Sequence, residues 1–386
     1  MHKIKILNKI SSEGLKTFSS KLYNISDDET SPDAILLRSF KMHEMELPAS
    51  LKVVGRAGAG VNNIPIEKCT EKGIVVLNTP GANANAVKEL TILALLLSSR
   101  RVIEGINFVG GLKNATDISK NIEKNKSTFT GPEILGKKLG VIGLGQIGVM
   151  VSNSATSLGM DVSGFDPFIS VDSAWNLSRE VKKAASLDEL IKTSDYITLH
   201  IPETEKTKGF MNENRISMMK KGARLINLSR GGVVDEKALL KALEADHIST
   251  YVTDFASADF ISAKNTICFP HLGASTPEAE ENCAMMIASQ VANFLENGNI
   301  SNSVNLPNCQ LGRQTDTRLT IINKNVPNMV GQFTAVLAAS KLNIQEMLNK
   351  SKSETAYNII DIDGPIDDST ISRIEAIEGV IKTRVI

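Results

Sequence analysis

The sequence lacks several features that would place it in a special class of protein. Its 43 lysine and arginine residues balance 43 aspartate and glutamate residues, so no net charge draws it toward nucleic acid or an anionic membrane. Its longest apolar run, Ile92–Leu97, is far too short to cross a bilayer. Its four cysteines are scattered without metal-ligand spacing; disulfides are possible, but reduced core residues are expected in a chain this size. The first ten residues alternate like a strand and do not resemble a signal peptide, so the sequence predicts a cytoplasmic protein. The scattered cysteines also lead us to expect no metal site.

A chain of 386 residues is long enough for two or three domains. Short β-branched segments alternate with helical ones from Lys3 to about Pro80, and again from Leu139 to Thr253. This alternation is typical of parallel sheets covered by helices. Residues 317–386 follow a β-α-β-β-α-β order, if a short strand after Leu342 is admitted. The predicted fold class is therefore α/β, with two doubly wound parallel-sheet domains and a small C-terminal α+β ferredoxin-like domain.

Two segments between the sheets have their own predicted structure. Leucine and isoleucine recur at spacings of three and four from about Ala84 to Ile106, which predicts one long helix. The stretch Asn114–Gly136 is polar, lysine-rich and weakly periodic, which predicts a linker or surface loop. A further helix is predicted over Pro277–Asn297, ending at Gly298.

A glycine-rich turn follows the strand Leu139–Ile142. Its glycines Gly143, Gly145 and Gly148 form a GxGxxG pattern, which allows a tight turn, close approach of a pyrophosphate and close packing of helix on strand. The helix that opens there offers free N–H groups to the phosphates. The pattern alone is weak, because a packing turn also explains it.

Asp166 strengthens the case for a dinucleotide. It follows the second strand of this series, where a carboxylate can accept from the ribose hydroxyls and would repel a 2′-phosphate. NAD is therefore favoured over NADP. The alternative is that Asp166 is only a turn residue before Pro167.

Three polar residues lie at or just after later strands, where an open α/β sheet places its ligands. Arg230 lies in a glycine-rich segment and suits a substrate carboxylate. His271 suits the proton transfer that accompanies hydride transfer from an alcohol, and Asp259 could hold its ring. Each residue alone also fits a plain structural role, as a surface ion pair or a loop histidine.

Several stretches together carry a family resemblance. They are Val53–Asn63, Asn78–Asn83, Leu139–Gly148, Leu225–Asp235 and Pro270–Thr276. In this order the chain resembles the D-isomer-specific 2-hydroxyacid dehydrogenases, and most of all their 3-phosphoglycerate dehydrogenase branch. Residues 317–386 resemble an ACT domain, a small amino-acid-sensing module.

The resemblance implies roles for individual residues. Arg230 would orient the substrate carboxylate, His271 would be the acid/base, and Asp259 would position His271. Cofactor-binding residues would be Gly143, Gly145, Gln146, Ile147, Gly148, Asp166, Pro202, Thr207, Leu228, Asp254 and Gly273. Substrate-binding residues would be Arg56, Ala57, Gly58 and Asn83, with Lys126 a phosphate candidate that is equally explained as a solvated lysine.

The resemblance also implies an organisation and a reaction. The substrate domain would be split into 1–95 and 277–306, around an NAD-binding Rossmann domain of 96–276 and before a regulatory ACT domain of 317–386. The expected reaction is NAD-dependent oxidation of 3-phospho-D-glycerate to 3-phosphooxypyruvate, the first step of serine biosynthesis. A homodimer or homotetramer with L-serine as a possible effector is expected, without nucleic-acid or membrane partners.

Two alternatives remain, and among the departures from the family pattern two bear on the predicted site and the ACT unit. The substrate could be another D-2-hydroxy acid, such as glycerate, lactate or 2-hydroxyglutarate, or the chain could be an NAD-sensing binding protein of the co-repressor kind. Asp259 stands where the family usually has the longer glutamate, which puts its reach to His271 in doubt. Asn328 stands where serine-sensing ACT loops usually have glycine, and asparagine tolerates the positive φ of that turn.

Overall fold

The computed structural model describes all 386 residues, which divide into two compact units. The split unit comprises Met1–Asn83 and Pro277–Ile386, and the central unit comprises Ala84–Thr276. No helix combines the length and apolar character that spanning a membrane requires.

The first part of the split unit is a five-stranded parallel sheet in the order β2-β1-β3-β4-β5. Its strands are β1 His2–Ile6, β2 Tyr23–Ser26, β3 Ala34–Leu37, β4 Val53–Arg56 and β5 Val75–Leu77. Its helices are α1 Ser12–Leu15, α2 Ile66–Glu71 and the long returning helix α12 Pro277–Asn297. Every residue of β3 is buried, as expected for a parallel strand covered on both faces.

The central unit contains a seven-stranded sheet in the order β12-β11-β10-β9-β6-β7-β8. Its strands are β6 Lys138–Ile142, β7 Asp161–Phe165, β8 Lys182–Lys183, β9 Tyr196–Leu199, β10 Ala223–Asn227, β11 Ile248–Thr253 and β12 Thr266–Cys268. Its helices are α3 Ala84–Ser99, α4 Val102–Gly111, α5 Ile118–Asn125, α6 Gln146–Ser157, α7 Val171–Trp175, α8 Leu187–Thr193, α9 Glu213–Met218, α10 Glu236–Glu244 and α11 Ala258–Ser262, with 3₁₀ turns at Lys126–Phe129 and Gly231–Val233. The chain order reverses direction at β6, between β7 and β9, which marks the crevice where such sheets bind ligands.

The C-terminal residues form a four-stranded antiparallel sheet in the order β14-β15-β13-β16. Its strands are β13 Thr317–Lys324, β14 Asn343–Lys352, β15 Thr355–Asp363 and β16 Val380–Val385, and its helices are α13 Met329–Ala339 and α14 Asp368–Glu375. This is the predicted β-α-β-β-α-β order, so the predicted fold class is confirmed. Asn328 adopts the left-handed φ of 65° that its place before α13 requires.

The predicted long helix and the predicted loop after it were both wrong in detail. The helix predicted over Ala84–Ile106 ends at Ser99, and a second helix begins at Val102. Arg224 donates to the carbonyl of Ser98, 2.8 Å away, so a long-range partner satisfies the helix end. The stretch Asn114–Gly136 is not a plain loop, because Asp117 caps the helix Ile118–Asn125 by accepting from Lys120 N.

The division into units also differs from the predicted domain boundaries. The expected boundary at 95/96 falls inside α3, whose buried Val87, Ala94 and Leu95 belong to a core of the central unit, and the two units divide at 83/84. The C-terminal sheet does not stand apart, because its residues Ile322, Tyr357 and Ile359 share one apolar core with the parallel sheet of the split unit.

Candidate active site

The glycine turn between β6 and α6 has the geometry that a dinucleotide requires. Gly143 has a φ of 92°, and a Cβ there would lie 2.6 Å from the carbonyl oxygen of His200. A Cβ on Gly148 would lie 1.9 Å from the Gly143 oxygen, so this glycine allows the helix to pack on the strand. Gly145 faces open space, with nothing within 4 Å of a Cβ. Together with the exposed Gln146 and half-buried Ile147 at the start of α6, this leaves a cradle open to a pyrophosphate at a helix N-terminus.

Asp166 lies at the end of β7 and is bonded to this turn. Its Oδ2 accepts from Leu144 N at 2.8 Å, and its Oδ1 accepts from Phe168 N at 2.8 Å. Each oxygen has a second lone pair available. The carboxylate is therefore fixed beside the glycine turn and retains acceptor capacity for ribose hydroxyls.

Arg230 is held in a loop that the buried Asn227 organises at the end of β10. The side-chain oxygen of Asn227 accepts from Ser229 N at 3.2 Å and from its hydroxyl at 2.9 Å. Its amide donates to the carbonyl of Arg230 at 2.9 Å. Leu228, between them, is buried in the core. Asn227 therefore fixes the loop conformation that presents the half-buried guanidinium of Arg230.

Asp254, directly after β11, is a buried carboxylate of the central unit. It is 3% exposed; its Oδ2 accepts from Gly273 N at 3.1 Å, and its buried Oδ1 has no partner. Burial raises the pKa of Asp254, an effect that the Gly273 bond and the nearby charges of His271 and Arg230 oppose. A buried carboxylate oxygen without a donor fits the carboxamide N–H of a nicotinamide.

His271 lies on the loop that is bonded to Asp254. Its backbone N–H donates to the Asp254 carbonyl at 3.1 Å, and its exposed ring lies 4.9 Å from the Phe255 ring. Phe255 and Pro270 form an antiparallel bridge that ties the two segments together. The structure thus brings Arg230, Asp254 and His271 into one electrostatic neighbourhood.

Asp259 is not joined to His271 by a hydrogen bond or an ion pair in this structure. It is exposed in the first turn of the short helix α11, which Ser257 caps. Ser257 also donates to Glu236, which ties α11 to α10. In this structure Asp259 therefore belongs to the start of α11 and does not hold the His271 ring.

The loop after β9 contains Pro202 and Thr207. The hydroxyl of Thr207 donates to the Pro202 carbonyl at 2.6 Å and accepts from Thr204 N at 2.8 Å, which closes the loop on itself. His200, directly under the glycine turn, contacts Thr198 Oγ1 at 3.0 Å, and burial lowers its pKa to about 4. His200 is therefore neutral near pH 7.

The predicted substrate loop lies in the split unit, after β4. Gly58 has a φ of 145°, and a Cβ there would lie 2.1 Å from the Arg56 guanidinium. Arg56 Nε donates to the carbonyl of Arg38 at 3.0 Å, and Ala57 N donates to that of Leu37 at 2.8 Å. The structure therefore places a second arginine, Arg38, beside Arg56.

The two remaining predicted substrate residues are in different surroundings. Asn83 is half-buried directly before α3. Lys126 is 66% exposed at the start of a 3₁₀ turn and pairs with Glu123. Within the chain, Lys126 is therefore a solvent-exposed lysine with a surface ion pair.

Sequence reasoning missed three residues that shape the site: Asn227, His200 and Arg38. All three follow directly on strands or end them, at Asn227, Leu199 and Leu37. That position was the available signal, because parallel strands bring their carboxyl ends to one edge.

Comparison with known proteins identifies the family. Residues 94–273 match the family model described as the D-isomer-specific 2-hydroxyacid dehydrogenase NAD-binding domain. The D-3-phosphoglycerate dehydrogenase of Haemophilus influenzae is 32% identical over 354 residues, covering 89% of this chain and 83% of that protein. The chain belongs to the D-isomer-specific 2-hydroxyacid dehydrogenase family. NAD is accordingly the cofactor of this family member.

Other similar proteins are also named D-3-phosphoglycerate dehydrogenase, but the chain matches only about half of their length. The Methanocaldococcus jannaschii D-3-phosphoglycerate dehydrogenase is 38% identical, covering 68% of this chain and 49% of the relative. The match spans 49% to 59% of the M. jannaschii, Bacillus subtilis and Synechocystis relatives. Among solved structures, the NAD⁺-bound 3-phosphoglycerate dehydrogenase of Entamoeba histolytica aligns with a TM-score of 0.61 and 27% identity, covering 79% of this chain and 98% of that one.

Proposed function

We propose that the chain catalyses the reversible, NAD-dependent oxidation of 3-phospho-D-glycerate to 3-phosphooxypyruvate, the first step of L-serine biosynthesis. The observation that carries a dehydrogenase function is the neighbourhood of Arg230, Asp254 and His271 at the carboxyl end of a sheet with an open dinucleotide turn. The choice of substrate is supported by the names of the curated relatives.

The residues present fit the cofactor. Gly145 and the first turn of α6 would hold the pyrophosphate, and Asp166 the ribose hydroxyls. Pro202, Thr207 and Leu228 would line the cofactor cleft. The unpartnered Oδ1 of Asp254 would accept a hydrogen bond from the nicotinamide carboxamide. That bond would set which face of the nicotinamide ring points to the substrate. When bound, NAD accepts the hydride that leaves C2 of the hydroxy acid.

Arg230 and His271 would act on the substrate itself. The guanidinium of Arg230 would bind the carboxylate through two parallel hydrogen bonds and hold C2 in place. The His271 ring would take the hydroxyl proton during oxidation and return it during reduction. Asp259 would stabilise the protonated ring, provided that its side chain approaches His271 when substrate binds.

The phosphate would be recognised by cations supplied outside the central sheet. Arg56 has its Nε fixed by the Arg38 carbonyl, and Gly58 leaves room for its guanidinium. The backbone N–H of Gly58, with Asn83, would hold the remaining oxygens, while Ala57, whose N–H donates to the Leu37 carbonyl, would fix the loop beside them. Lys126 would add a charge from a partner subunit.

The proposal includes a homo-oligomer, an effector and a compartment. Helix α4 has no buried residue within the chain and exposes Val102, Ile106 and Val109, which supports a homodimer or homotetramer. The ferredoxin-like unit supports an ACT role with L-serine as effector. All four cysteines are unpaired, as expected of a cytoplasmic protein.

The deciding experiment is NADH oxidation by purified protein with 3-phosphooxypyruvate, compared with hydroxypyruvate, pyruvate and 2-oxoglutarate. The proposal expects a clear kcat/KM preference for the phosphorylated acid, and Arg56→Met should reduce only that preference. A preference for an unphosphorylated acid would move the substrate within the family. No reduction of any of the four would favour an NAD-sensing binding protein.

A further inference from the structure

The carboxyl end of helix α12 is bonded by side chains of the C-terminal sheet. The last carbonyls of a helix have no partner inside it. Here Arg384 donates to the carbonyls of Phe294, at 3.0 Å, and Leu295, and Arg318 donates to that of Asn297 at 2.9 Å. The hydroxyl of Tyr357 donates to the carbonyl of Gly298 at 2.6 Å. Strands β13, β15 and β16 therefore all hold the end of one helix.

This attachment is tightly packed. Gly298 has a φ of 70°, and a Cβ there would lie 2.6 Å from Thr320 Cγ2 and 3.3 Å from the Tyr357 hydroxyl. The Arg384 guanidinium lies over the Phe294 ring, 4.8 Å from its centroid. Burial raises the pKa of Tyr357, so its hydroxyl remains a donor at any physiological pH. The end of the helix therefore packs directly against the C-terminal sheet.

The same helix contacts strand β4, which leads into the substrate loop, and pairs with Arg38 beside that loop. Gly55 directly precedes Arg56, and a Cβ on Gly55 would lie 2.8 Å from Ile287 and 2.9 Å from Val291, both on α12. Near the other end of α12, Glu280 pairs with Arg38 at 2.5 Å. The carbonyl of Arg38 in turn accepts from Arg56 Nε.

We propose that Tyr357 and Arg384 are positioning residues for the substrate loop, acting through helix α12. The helix is 21 residues long, or about 30 Å at 1.5 Å per residue, so it spans the distance between these contacts. Its carboxyl end is hydrogen-bonded to the C-terminal sheet, and its middle packs against β4. Near its other end, Glu280 pairs with Arg38, which lies beside Arg56. The C-terminal sheet thus sets the place of Arg56, whose role in binding the hydroxy acid rests on the proposed function.

The test compares Tyr357→Phe and Arg384→Met with Arg373→Met. Arg373 also lies on the C-terminal unit and donates to a carbonyl, that of Val336, but it has no bond to α12. Tyr357→Phe should raise the KM for the keto acid about fivefold, on the scale of one lost hydrogen bond. The kcat and the NADH Kd should stay within about twofold, because the cofactor residues lie elsewhere in the chain. Arg384→Met should raise the same KM, and Arg384→Lys, which keeps a cationic donor, should raise it less.

Hydrogen exchange gives a second readout that needs no substrate. The amides of residues 57–60 should exchange faster in Tyr357→Phe than in the wild type and in Arg373→Met. A lower Tm with unchanged KM and unchanged exchange at 57–60 would overturn the proposal and leave a purely structural contact. If the wild type reduced no keto acid, the proposed function would fail, and the exchange comparison would still decide the positioning role.

Discussion

Replacing Asp254 with asparagine should weaken cofactor binding without lowering the stability of the cofactor-free protein. The carboxylate is 3% exposed, one oxygen accepts from Gly273 N, and the other has no partner in the protein. Asparagine has nearly the same shape and can keep the Gly273 bond through its oxygen. Its amide would then occupy the position that we assign to the acceptor of the nicotinamide carboxamide.

The size of the effect follows from the kind of bond that is lost. A hydrogen bond to a charged group contributes about 1.5–3 kcal/mol, so NADH should bind roughly ten to 150 times more weakly. Stability should not fall with it. Burial raises the folded pKa of Asp254 above its unfolded value, so the ionised carboxylate lowers the unfolding free energy near pH 7. The neutral amide removes that penalty, and the Tm of the cofactor-free protein should stay equal or rise.

The assay is NADH titration by fluorescence together with thermal unfolding of the cofactor-free protein. Asp246→Asn is a matched control, because Asp246 is an exposed carboxylate of the same unit that pairs with Lys264. Wild-type NADH affinity in Asp254→Asn would refute the assignment of Oδ1 as the carboxamide acceptor. A joint loss of affinity and Tm would show that the carboxylate has a structural role instead.

Three further predictions concern single residues. His271→Ala should lower turnover by about 10²–10⁴-fold with NADH affinity unchanged, and near-normal turnover would remove His271 from the proton transfer. Asp259→Asn should lower the kcat for reduction of the keto acid with NADH affinity unchanged, because the carboxylate would position the His271 ring when substrate binds; an unchanged kcat would assign Asp259 to the start of α11 alone. Arg318→Met should lower the unfolding free energy by about 3–5 kcal/mol in urea titrations, because it leaves the fully buried Asp361 unpaired, and a loss under 1 kcal/mol would contradict this.

The stability of the protein towards acid should depend on His200. Its folded pKa of about 4 lies below the unfolded value, so the unfolded state binds more protons and the unfolding free energy falls as pH falls from about 6.5 towards 4. His200→Gln should flatten that part of the curve. Unfolding free energies are measured by urea titration at pH 4.5 and 7. If their difference is the same in His200→Gln as in the wild type, other groups control the acid sensitivity.

The sequence by itself determined the alternation of strands and helices in the two parallel sheets, the β-α-β-β-α-β order of residues 317–386 and the dinucleotide turn. Strand β3, with its four buried residues, and the turn at Gly143 are specified by local patterns, because period, β-branching and glycine conformation act within a few residues. The same holds for Arg230, since its position just after the strand ending at Asn227 follows from the strand assignments.

Only the tertiary structure decided what depends on contacts between distant residues. The end of α3 depends on Arg224, which is 126 positions away in the chain from Ser98. The partnerless oxygen of Asp254 and the missing bond between Asp259 and His271 are facts of packing that no local pattern reports. The union of the C-terminal sheet with the split unit has the same cause. Tyr357 reaches the carbonyl of Gly298 only because folding buries both in one core, and burial makes such polar groups find partners wherever the chain brings them.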